Sequence, residues 1–492
     1  MKYFSTRDAE KKSFDSAFVI KKGLAEDGGL FVPEAIPSLS QDEVEKLCKM
    51  GYAERAAFVL SKFLTDYTYE ELLADCQRAY SEESFPGGAA PLKNVKDNLY
   101  SLELWHGPTA AFKDMALQIM PRLLSRALVK TGEKNTALIL VATSGDTGKA
   151  ALEGYKDVDG VKIIVFYPID GVSKVQKLQM ATQTGRNVNV CAIRGNFDDA
   201  QTGVKKIFSD ADAKAKLLEN SYVLSSANSI NWGRLAPQIV YYISAYCDLL
   251  NSGDIKYGET INVCVPTGNF GNIFAAYISK LMGLPLNKLV CASNSNNVLT
   301  EFLKTGVYDR NREFHLTMSP SMDILISSNL ERLLYFTAGS EATASYMSSL
   351  NTVGRYEVSD EIKALIGENF VGYCADEKET AETVCKYFKE NGYLADTHTS
   401  VALKCAEKYM EEFNDGKKMV VASTASAYKF AADVYKSITD KDASADTGAL
   451  DDLSALTGTE IAYPLKNLAQ RKVNFDKVID ASEMLDEVYK FM

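Results

Sequence analysis

The sequence predicts an α/β protein built around open, mostly parallel β-sheets. From about residue 91 to residue 300, short apolar segments alternate with stretches of helical periodicity, which favours parallel strands joined by helices. The apolar segments also lack the every-second-residue polarity of half-exposed strands, as expected for parallel strands buried on both faces. The predicted strands are residues 136–142, 161–167, 188–193, 261–265 and 418–422.

The length of the chain and one segment rich in proline and glycine predict the domain organisation. A chain of 492 residues with 46 % hydrophobic and 24 % charged positions is long enough for two or three domains. The segment FPGGAAP at 85–91 holds two prolines and two glycines and marks a boundary. We expect an N-terminal domain over 1–90, a smaller α/β domain over 91–230 and a larger α/β domain over 231–492.

The charge balance excludes several kinds of partner. The chain has 54 basic and 65 acidic residues, a net charge of −11, and no cluster of five or more basic residues. Such a chain repels polyphosphate backbones, so we expect no nucleic-acid partner. An anionic substrate must instead be held by a few local groups.

Targeting and metal signals are also missing from the sequence. The first fifteen residues are charged throughout, and apolar runs such as 137–142 are too short to span a bilayer. Nine scattered cysteines without a CxxC pair indicate reduced thiols. The three histidines are far apart, so no metal site is expected. These features predict a cytoplasmic protein with no membrane partner.

Two strand–loop–helix junctions carry the first chemical signal. They span residues 137–155 (ALILVATSGDTGKAALEGY) and 261–280 (INVCVPTGNFGNIFAAYISK). Ligands of parallel sheets collect at the carboxyl ends of strands, where helix amides bind anions and glycine allows close approach. Neither loop has the spacing of a Walker A or GxGxxG motif. Each could also be only a tight turn.

A lysine at the start of a predicted helix is the second signal. In HGPTAAFKDMALQIMPRLL, residues 106–124, Thr109 is a plausible N-cap and an apolar stripe follows at helical spacing. Lys113 would then lie in the first turn, where the helix dipole and burial both favour the neutral amine that forms imines. The alternative is an ordinary solvated lysine, which describes most lysines.

The third signal is a cluster of polar residues ahead of an apolar helix. Residues 225–242 (SSANSINWGRLAPQIVYY) hold Asn228, Ser229, Asn231 and Arg234 close together. Neutral donors plus one guanidinium suit a phosphate dianion. Helix capping and a surface arginine would explain the same residues equally well.

Six segments of the chain resemble the threonine synthase family of bacteria and fungi, in the family's order. This family is part of the tryptophan-synthase-β group (fold-type II) of pyridoxal-phosphate enzymes, and the resemblance extends over essentially the whole chain. It implies two open, mostly parallel sheet domains with an N-terminal extension. The segments are GLAEDGGLFVPE (23–34), HGPTAAFKDMALQ (106–118), ATSGDTGKAALEG (142–154), NSINWGR (228–234), PTGNFGN (266–272) and STASAYKF (423–430).

The resemblance also implies roles for individual residues. Lys113 would bind pyridoxal phosphate covalently and later carry protons at the substrate's α and β carbons. The loop Gly268, Asn269, Phe270, Gly271 and Asn272 would bind the cofactor phosphate, and Thr424 would hydrogen-bond the pyridine nitrogen. The substrate carboxylate would be held by Thr143, Ser144 and Thr147, and the substrate phosphate by Asn228, Ser229 and Arg234.

The implied reaction converts O-phospho-L-homoserine and water to L-threonine and phosphate. Two positions depart from the wider group's pattern. Asp146 stands where many members carry Asn against the cofactor's ring oxygen, and a carboxylate would repel a phenolate there unless one of them carries a proton. Ser426 and Ala427 stand where many relatives carry His and Pro, which weakens the role assigned to Thr424.

Other functions fit part of the same pattern. A threonine or serine dehydratase of the same fold would need no site for a substrate phosphate, so Arg234 discriminates between the two enzymes. A non-catalytic binder of pyridoxal phosphate would not need Lys113, and a nucleotide-binding protein would need different loop spacings. For the oligomeric state we expect a monomer or a homodimer.

Overall fold

The computed structural model describes residues 1–143, 145–169 and 172–492. In these ranges, fifteen strands fall into two large and two small sheets. The strands are β1 (Tyr3–Ser5), β2 (Phe31–Pro33), β3 (Leu92–Lys96), β4 (Leu99–Glu103), β5 (Thr136–Ala142), β6 (Val161–Pro168), β7 (Val188–Arg194), β8 (Tyr222–Ser225), β9 (Ile261–Pro266), β10 (Leu286–Ser293), β11 (Val307–Asp309), β12 (Arg355–Glu357), β13 (Phe370–Cys374), β14 (Met419–Ser423) and β15 (Val478–Asp480).

Among the residues that the structure describes, twenty α-helices connect and cover these strands. They are α1 (Ser16–Lys22), α2 (Gln41–Cys48), α3 (Tyr52–Phe63), α4 (Tyr69–Ala79), α5 (Asp114–Leu117), α6 (Met120–Lys130), α7 (Asp146–Tyr155), α8 (Lys174–Ala181), α9 (Phe197–Ser209), α10 (Ala211–Glu219), α11 (Trp232–Ser252), α12 (Gly271–Leu281), α13 (Val298–Thr305), α14 (Leu330–Thr352), α15 (Asp360–Asn369), α16 (Glu377–Asn391), α17 (Thr397–Phe413), α18 (Ala431–Thr439), α19 (Gly448–Thr457) and α20 (Met484–Phe491).

The two large sheets are almost entirely parallel, as the sequence predicts. The five-stranded sheet has the order β15-β7-β6-β5-β8, and every pair in it is parallel. The six-stranded sheet has the order β13-β10-β9-β14-β4-β3, and only the edge pair β3–β4 is antiparallel. All five predicted strands are confirmed to within one residue at each end. Their continuous apolar runs are buried on both faces.

Strand pairing crosses the boundaries predicted near residues 90 and 230. Strands β3 and β4 follow the first boundary but belong to the six-stranded sheet, while β15, near the end of the chain, completes the five-stranded sheet. The division into 1–90, 91–230 and 231–492 therefore stays a prediction about folding units, and the sheets themselves are assembled from distant segments.

The amino-terminal 80 residues pack against the rest of the chain through α11 and α6. Helix α3 and helix α2 contact α11, and α1 contacts α6. One buried apolar cluster joins these helices to both large sheets, from Val59 and Leu60 to Val141 and Val263. Within the described ranges, no helix has the length and apolarity needed to cross a bilayer.

Both large sheets change direction beside the strands that carry the glycine loops. After β5 the chain builds β6 and β7 on one side and then returns to β8 on the other side. In the six-stranded sheet, β9 lies between β10 and β14. The chain continues from β9 to β10 and then to β13 on one side, while β14 and β4 lie on the other side. Ligands of open parallel sheets bind at such switch points, outside the carboxyl ends of the strands.

Candidate active site

Lys113 lies immediately before the short helix α5, which begins at Asp114. The prediction that Thr109 caps this helix is wrong. The backbone of Ala110 has φ 57°, so the chain cannot be helical there. Thr109 instead donates both its amide and its hydroxyl hydrogen to the buried carboxylate of Asp114, at 2.8 and 2.7 Å. These bonds fix the turn that presents Lys113.

The amine of Lys113 has two side-chain neighbours. Its Nζ lies 3.5 Å from Oδ2 of Asp146 and 3.5 Å from Oγ of Ser321, and the side chain is 11 % exposed. Burial lowers the pKa of Lys113, and the charges of Lys429 and Arg234 lower it further, against the opposing effect of Asp146. The surroundings therefore favour the neutral amine, which is the nucleophilic form.

Asp146 is the first residue of α7 and lies between two lysines. Its Oδ1 is 2.8 Å from Nζ of Lys429 and accepts a hydrogen bond of 2.8 Å from Nε2 of Gln176. Burial by itself would raise the pKa of Asp146, but the ammonium group of Lys429, and that of Lys113 while it is protonated, hold it well below its usual range. Asp146 is therefore ionised at neutral pH.

The loop after β9 has the features of an anion site. Helix α12 begins at Gly271, and its first backbone amides have no carbonyl partner within the helix. A Cβ on Gly268 would lie 2.9 Å from the carbonyl oxygen of Ser321, so only glycine fits there. Asn272 accepts hydrogen bonds from Tyr241 and Tyr242, while its Nδ2 is buried without a partner among the described residues. These donors are neutral and point to a bound anion.

Phe270 and Asn269 fix the shape of this loop. Phe270 has a left-handed backbone (φ 62°), and its buried ring packs against Phe370 at 5.5 Å between centroids. The carbonyl oxygen of Asn269 accepts hydrogen bonds from the backbone N–H and the side-chain Nδ2 of Asn329, both at 3.0 Å. The loop is held by these contacts independently of any ligand.

Thr424 reaches the same region from β14. It directly follows that strand, is buried, and its carbonyl oxygen accepts a hydrogen bond of 2.8 Å from the amide of Phe112, next to Lys113. A buried amine, a loop with unpaired amides and a neutral hydroxyl thus surround one position. This set fits pyridoxal phosphate, which needs an imine-forming lysine, a phosphate site and a partner for its ring nitrogen.

Of the three predicted carboxylate-binding residues, two lie within the described residues. The buried Oγ1 of Thr143 accepts hydrogen bonds from the amides of Gly145 and Gly148, at 3.0 and 2.9 Å, which leaves its hydroxyl hydrogen to donate. Thr147 is half-buried in the first turn of α7. Ser144 lies outside the described residues. The substrate role of all three stays a prediction.

The polar segment before α11 places one charged group close to Lys113. Arg234 is 4 % exposed, and its Nη1 donates to the carbonyl oxygen of Ala227 at 2.6 Å. Burial lowers the pKa of Arg234 to about 10, so the guanidinium stays charged at neutral pH. Its Nε has no partner among the described residues. Asn228 is exposed and Ser229 half-buried, and both remain predictions. Asn231 caps the helix by accepting from Gly233.

The sequence reasoning missed three residues that contact the predicted ones. Lys429, Gln176 and Ser321 surround Asp146 and Lys113. Only Lys429 left a signal in the sequence, because it is a single lysine in an otherwise apolar run, AYKFAA, at the end of a matched segment. Gln176 and Ser321 lie in segments without a motif.

His398 holds Ser321 in place from the opposite side. Its Nε2 accepts the backbone N–H of Ser321 at 3.0 Å, so Nδ1 carries the ring proton and donates to Asp396 at 2.9 Å. The histidine is buried and serves as an acceptor in this arrangement. No cluster of metal-ligating side chains occurs in the part of the chain that the structure describes.

Comparison with protein families defines the class first. Residues 88–425 match the family profile described as pyridoxal-phosphate dependent enzyme, and residues 2–80 match the profile described as threonine synthase N terminus. The first match covers more than half of the chain and includes Lys113, Asp146, the loop after β9 and Thr424. The fold is that of a pyridoxal-phosphate-dependent enzyme, and the chain belongs to this class.

Individual relatives narrow the class to a family. Threonine synthase from Pseudomonas aeruginosa is 37 % identical over 443 residues, which are 89 % of this chain and 90 % of that protein. A crystal structure of yeast threonine synthase superposes with a TM-score of 0.89 at 32 % identity, over 99 % of this chain and 98 % of that one. The crystal structure of the PLP-bound threonine synthase from Brucella melitensis superposes with a TM-score of 0.87 at 36 % identity, over 100 % of this chain and 99 % of that one. The chain belongs to the threonine synthase family.

A further group of relatives is longer than this chain. Human threonine synthase-like 1 is 39 % identical over 456 residues, which are 89 % of this chain but 60 % of that protein. The chain thus spans about three-fifths of the length of these relatives.

Proposed function

We propose that this chain is a threonine synthase that converts O-phospho-L-homoserine and water to L-threonine and inorganic phosphate. The observation that carries the proposal is Arg234, a buried guanidinium with an unused Nε–H, which lies close enough to Lys113 to lower its pKa. It is separate from the neutral loop at 268–272. The reaction needs two anion sites beside one lysine, because both the cofactor and the substrate carry a phosphate.

Each group has a part in the proposed mechanism. Lys113, Gly268–Asn272 and Thr424 would hold pyridoxal phosphate, which when bound supplies an electron sink for the substrate's carbons. The Lys113 amine takes protons from the substrate's α and β carbons and returns one to the α carbon. Burial lowers its pKa from the ordinary lysine value, which increases the share of the unprotonated amine that a base needs.

The substrate's own anions would be held on either side of this amine. Arg234 binds the leaving phosphate, with Asn228 and Ser229 as further donors. The negative charge of the phosphate remains paired with the guanidinium while the bond from the γ carbon to oxygen breaks. Thr143, Ser144 and Thr147 bind the α-carboxylate at the amino terminus of α7. The α and β carbons each give up one proton, the γ carbon gains one and becomes the methyl group, and the α carbon regains one. Water contributes its hydroxyl to the β carbon and its remaining proton to the released phosphate, which balances the reaction.

The test is a phosphate-release assay on O-phospho-L-homoserine, with threonine identified by chromatography. We expect the wild-type protein to release phosphate and threonine in equal amounts, and Lys113→Ala to release neither at a comparable rate. Borohydride reduction of the cofactor-loaded wild type should label the peptide that contains Lys113. Wild-type protein that produces no threonine would contradict the proposal.

Arg234→Ala separates this activity from a dehydratase. Loss of the guanidinium should raise KM for O-phosphohomoserine by about a hundredfold, since a charge-assisted contact is worth about 1.5–3 kcal/mol. Undiminished activity of this variant on an unphosphorylated hydroxyamino acid would favour the dehydratase instead. The expected monomer or homodimer and a cytoplasmic location also remain proposals, to be tested by light scattering and by cell fractionation.

A further inference from the structure

Lys429 is a lysine that the proposed reaction does not use, yet it is fully buried beside the reacting groups. Its side chain has 0 % exposure. Its ammonium group lies 2.8 Å from Oδ1 of Asp146 and donates to the carbonyl oxygen of Thr109 at 3.0 Å. An isolated buried ammonium costs several kcal/mol, so a lysine in this position must be paired.

The carboxylate of Asp146 needs this partner for the same reason. Its two oxygens face different lysines, Oδ1 towards Lys429 and Oδ2 towards Lys113. The amine of Lys113 is required as a neutral nucleophile and then for covalent attachment, so it cannot be a permanent counter-ion. Without Lys429, Asp146 would then be a buried charge held only by the neutral amide of Gln176.

We propose that Lys429 is a positioning residue whose fixed ammonium keeps Asp146 ionised and oriented while Lys113 is bound to the cofactor. The repulsion expected between a carboxylate and the cofactor's ring oxygen is then relieved by a neighbouring cation, and neither group has to carry a proton. This inference depends on the cofactor site described above, but not on the identity of the substrate.

The charges around Lys429 and Asp146 determine the direction in which each substitution shifts the protonation of the Lys113 nitrogen. Lys113 faces both members of this pair, and Asp114 faces Lys429. One step further out, Arg234 faces Lys113 and Glu153 faces Asp114. Glu153 is already paired with Lys149 at 2.8 Å. Removing Lys429 adds one net negative charge next to the cofactor-bound nitrogen of Lys113, and removing the charge of Asp146 adds one net positive charge. The two changes must shift the protonation of that nitrogen in opposite directions.

The experiment follows the visible absorbance of the bound cofactor against pH, without any substrate, in four variants. We expect Lys429→Met to raise the midpoint by about one pH unit, a tenfold change in proton affinity. Asp146→Asn should lower it, and the double variant should return to within about 0.3 units of wild type, because its site is again neutral. The matched control is the double variant Lys149→Met/Glu153→Gln, which removes another buried lysine together with its partner. It leaves the net charge near Asp146 unchanged and should leave the midpoint unchanged.

Two results would overturn the inference. One is a shift of the same sign in Lys429→Met and Asp146→Asn, and the other is a double variant that is no closer to wild type than the single ones. If Lys429→Met alone does not bind the cofactor, recovery of binding in the double variant supports the inference. Loss of cofactor binding in both Lys429→Met and the Lys429→Met/Asp146→Asn variant, with normal binding in Lys149→Met/Glu153→Gln, overturns it. Because O-phosphohomoserine is absent, a failed substrate assignment would not affect any of these outcomes.

Discussion

The loop after β5 and the loop after β9 have the same topology but differ in charge. Both follow a buried parallel strand, contain glycines and precede a helix at a switch point of a large sheet. The β5 loop, residues 143–147, contains the ionised Asp146, and the β9 loop, residues 267–272, presents only neutral donors. The difference comes from Asp146, and Lys429, which lies far away in the chain, balances its charge.

The comparison shows that a helix N-terminus by itself does not decide what a loop binds. In the β9 loop the partial positive charge of α12 remains available for a phosphate. In the β5 loop, the partial positive charge at the start of α7 is used in part by the carboxylate of Asp146, which Lys429 must then neutralise. The glycines differ as well: Gly145 is required by its backbone angle and Gly268 by a close neighbour.

The largest expected effect concerns the β9 loop. Gly268→Ala would place a methyl group 2.9 Å from the backbone oxygen of Ser321 and push the loop away from the phosphate. We expect the affinity for pyridoxal phosphate to fall about a hundredfold, or ~2.7 kcal/mol, measured by fluorescence titration. The control is Gly367→Ala in α15, where the added methyl meets nothing within 4 Å. Equal affinity in the two variants would show that the β9 loop does not hold the phosphate.

The next effect concerns the β5 loop and is on folding. Gly145 has φ 138°, and a Cβ there would lie 2.5 Å from the side chain of Gln176. Gly145→Ala should lower the free energy of unfolding of the cofactor-free protein by about 2 kcal/mol, from backbone strain and the displaced glutamine. Urea unfolding measures this, with Gly268→Ala as the comparison. A greater loss of stability in Gly268→Ala would reverse the distinction drawn between the two glycines.

A third effect appears with pH. Burial raises the pKa of Asp114 to about 6, against an ordinary value of 3.8. The folded protein therefore binds more protons in this interval, and its stability falls as pH rises from about 4 to 6. Asp146 has a lowered pKa and acts oppositely, since its stabilisation is lost as pH falls below about 4.

Asp114→Asn separates the two aspartates. The variant should lose the fall in stability between pH 4 and 6, a difference on the order of 2 kcal/mol, because each pKa unit is worth ~1.4 kcal/mol and the difference between the two pKa values takes effect over about 1.5 pH units of this interval. Urea unfolding of the cofactor-free protein at four pH values is sufficient. A matched control is Asp157→Asn on the surface, which should leave this slope unchanged. If Asp114→Asn keeps the wild-type slope, another group titrates there.

The smallest effect tests how the β5 loop is built. Thr143→Ser keeps the oxygen that accepts from Gly145 and Gly148 and removes only a methyl group packed near Gly148. We expect a loss of about 0.8 kcal/mol, the value of one buried CH₂. Thr143→Val, which removes the acceptor, should cost more in the same unfolding assay. A larger loss for Ser than for Val would mean that packing, and not the hydrogen bonds, shapes the loop.

The sequence predicted the parts of the fold that depend on local pattern. The apolar runs at β5, β6, β7, β9 and β14 gave strand boundaries because both faces of these strands are buried. The start of α5 was misplaced because Thr109 has the chemistry of a helix cap, while its hydrogen bonds go to Asp114 within an irregular turn. Lys113 itself was found through the family resemblance, and its local pattern also fitted a surface lysine.

The contacts around Lys113 could not be predicted from the sequence in the same way. Lys429, Gln176 and Ser321 come from segments far apart in the chain, and the fold alone brings them to Asp146 and Lys113. Gly268 and Gly271 could be predicted, because the strand–loop–helix junction that contains them is visible in the sequence. Those whose partner is a distant buried charge could not, because a sequence pattern contains no pairing across the fold.

The order of strands in the two large sheets also has a consequence for synthesis on the ribosome. Strand β4 pairs only with β3 and β14, so the hairpin at 92–103 has an open edge until residues 419–423 have left the exit tunnel. Strand β7 likewise has an open edge until β15 is made. Neither sheet can close during most of translation, and unpaired edges promote association between chains. The open edges of β4 and β7 are therefore available for such association until β14 and β15 have been made.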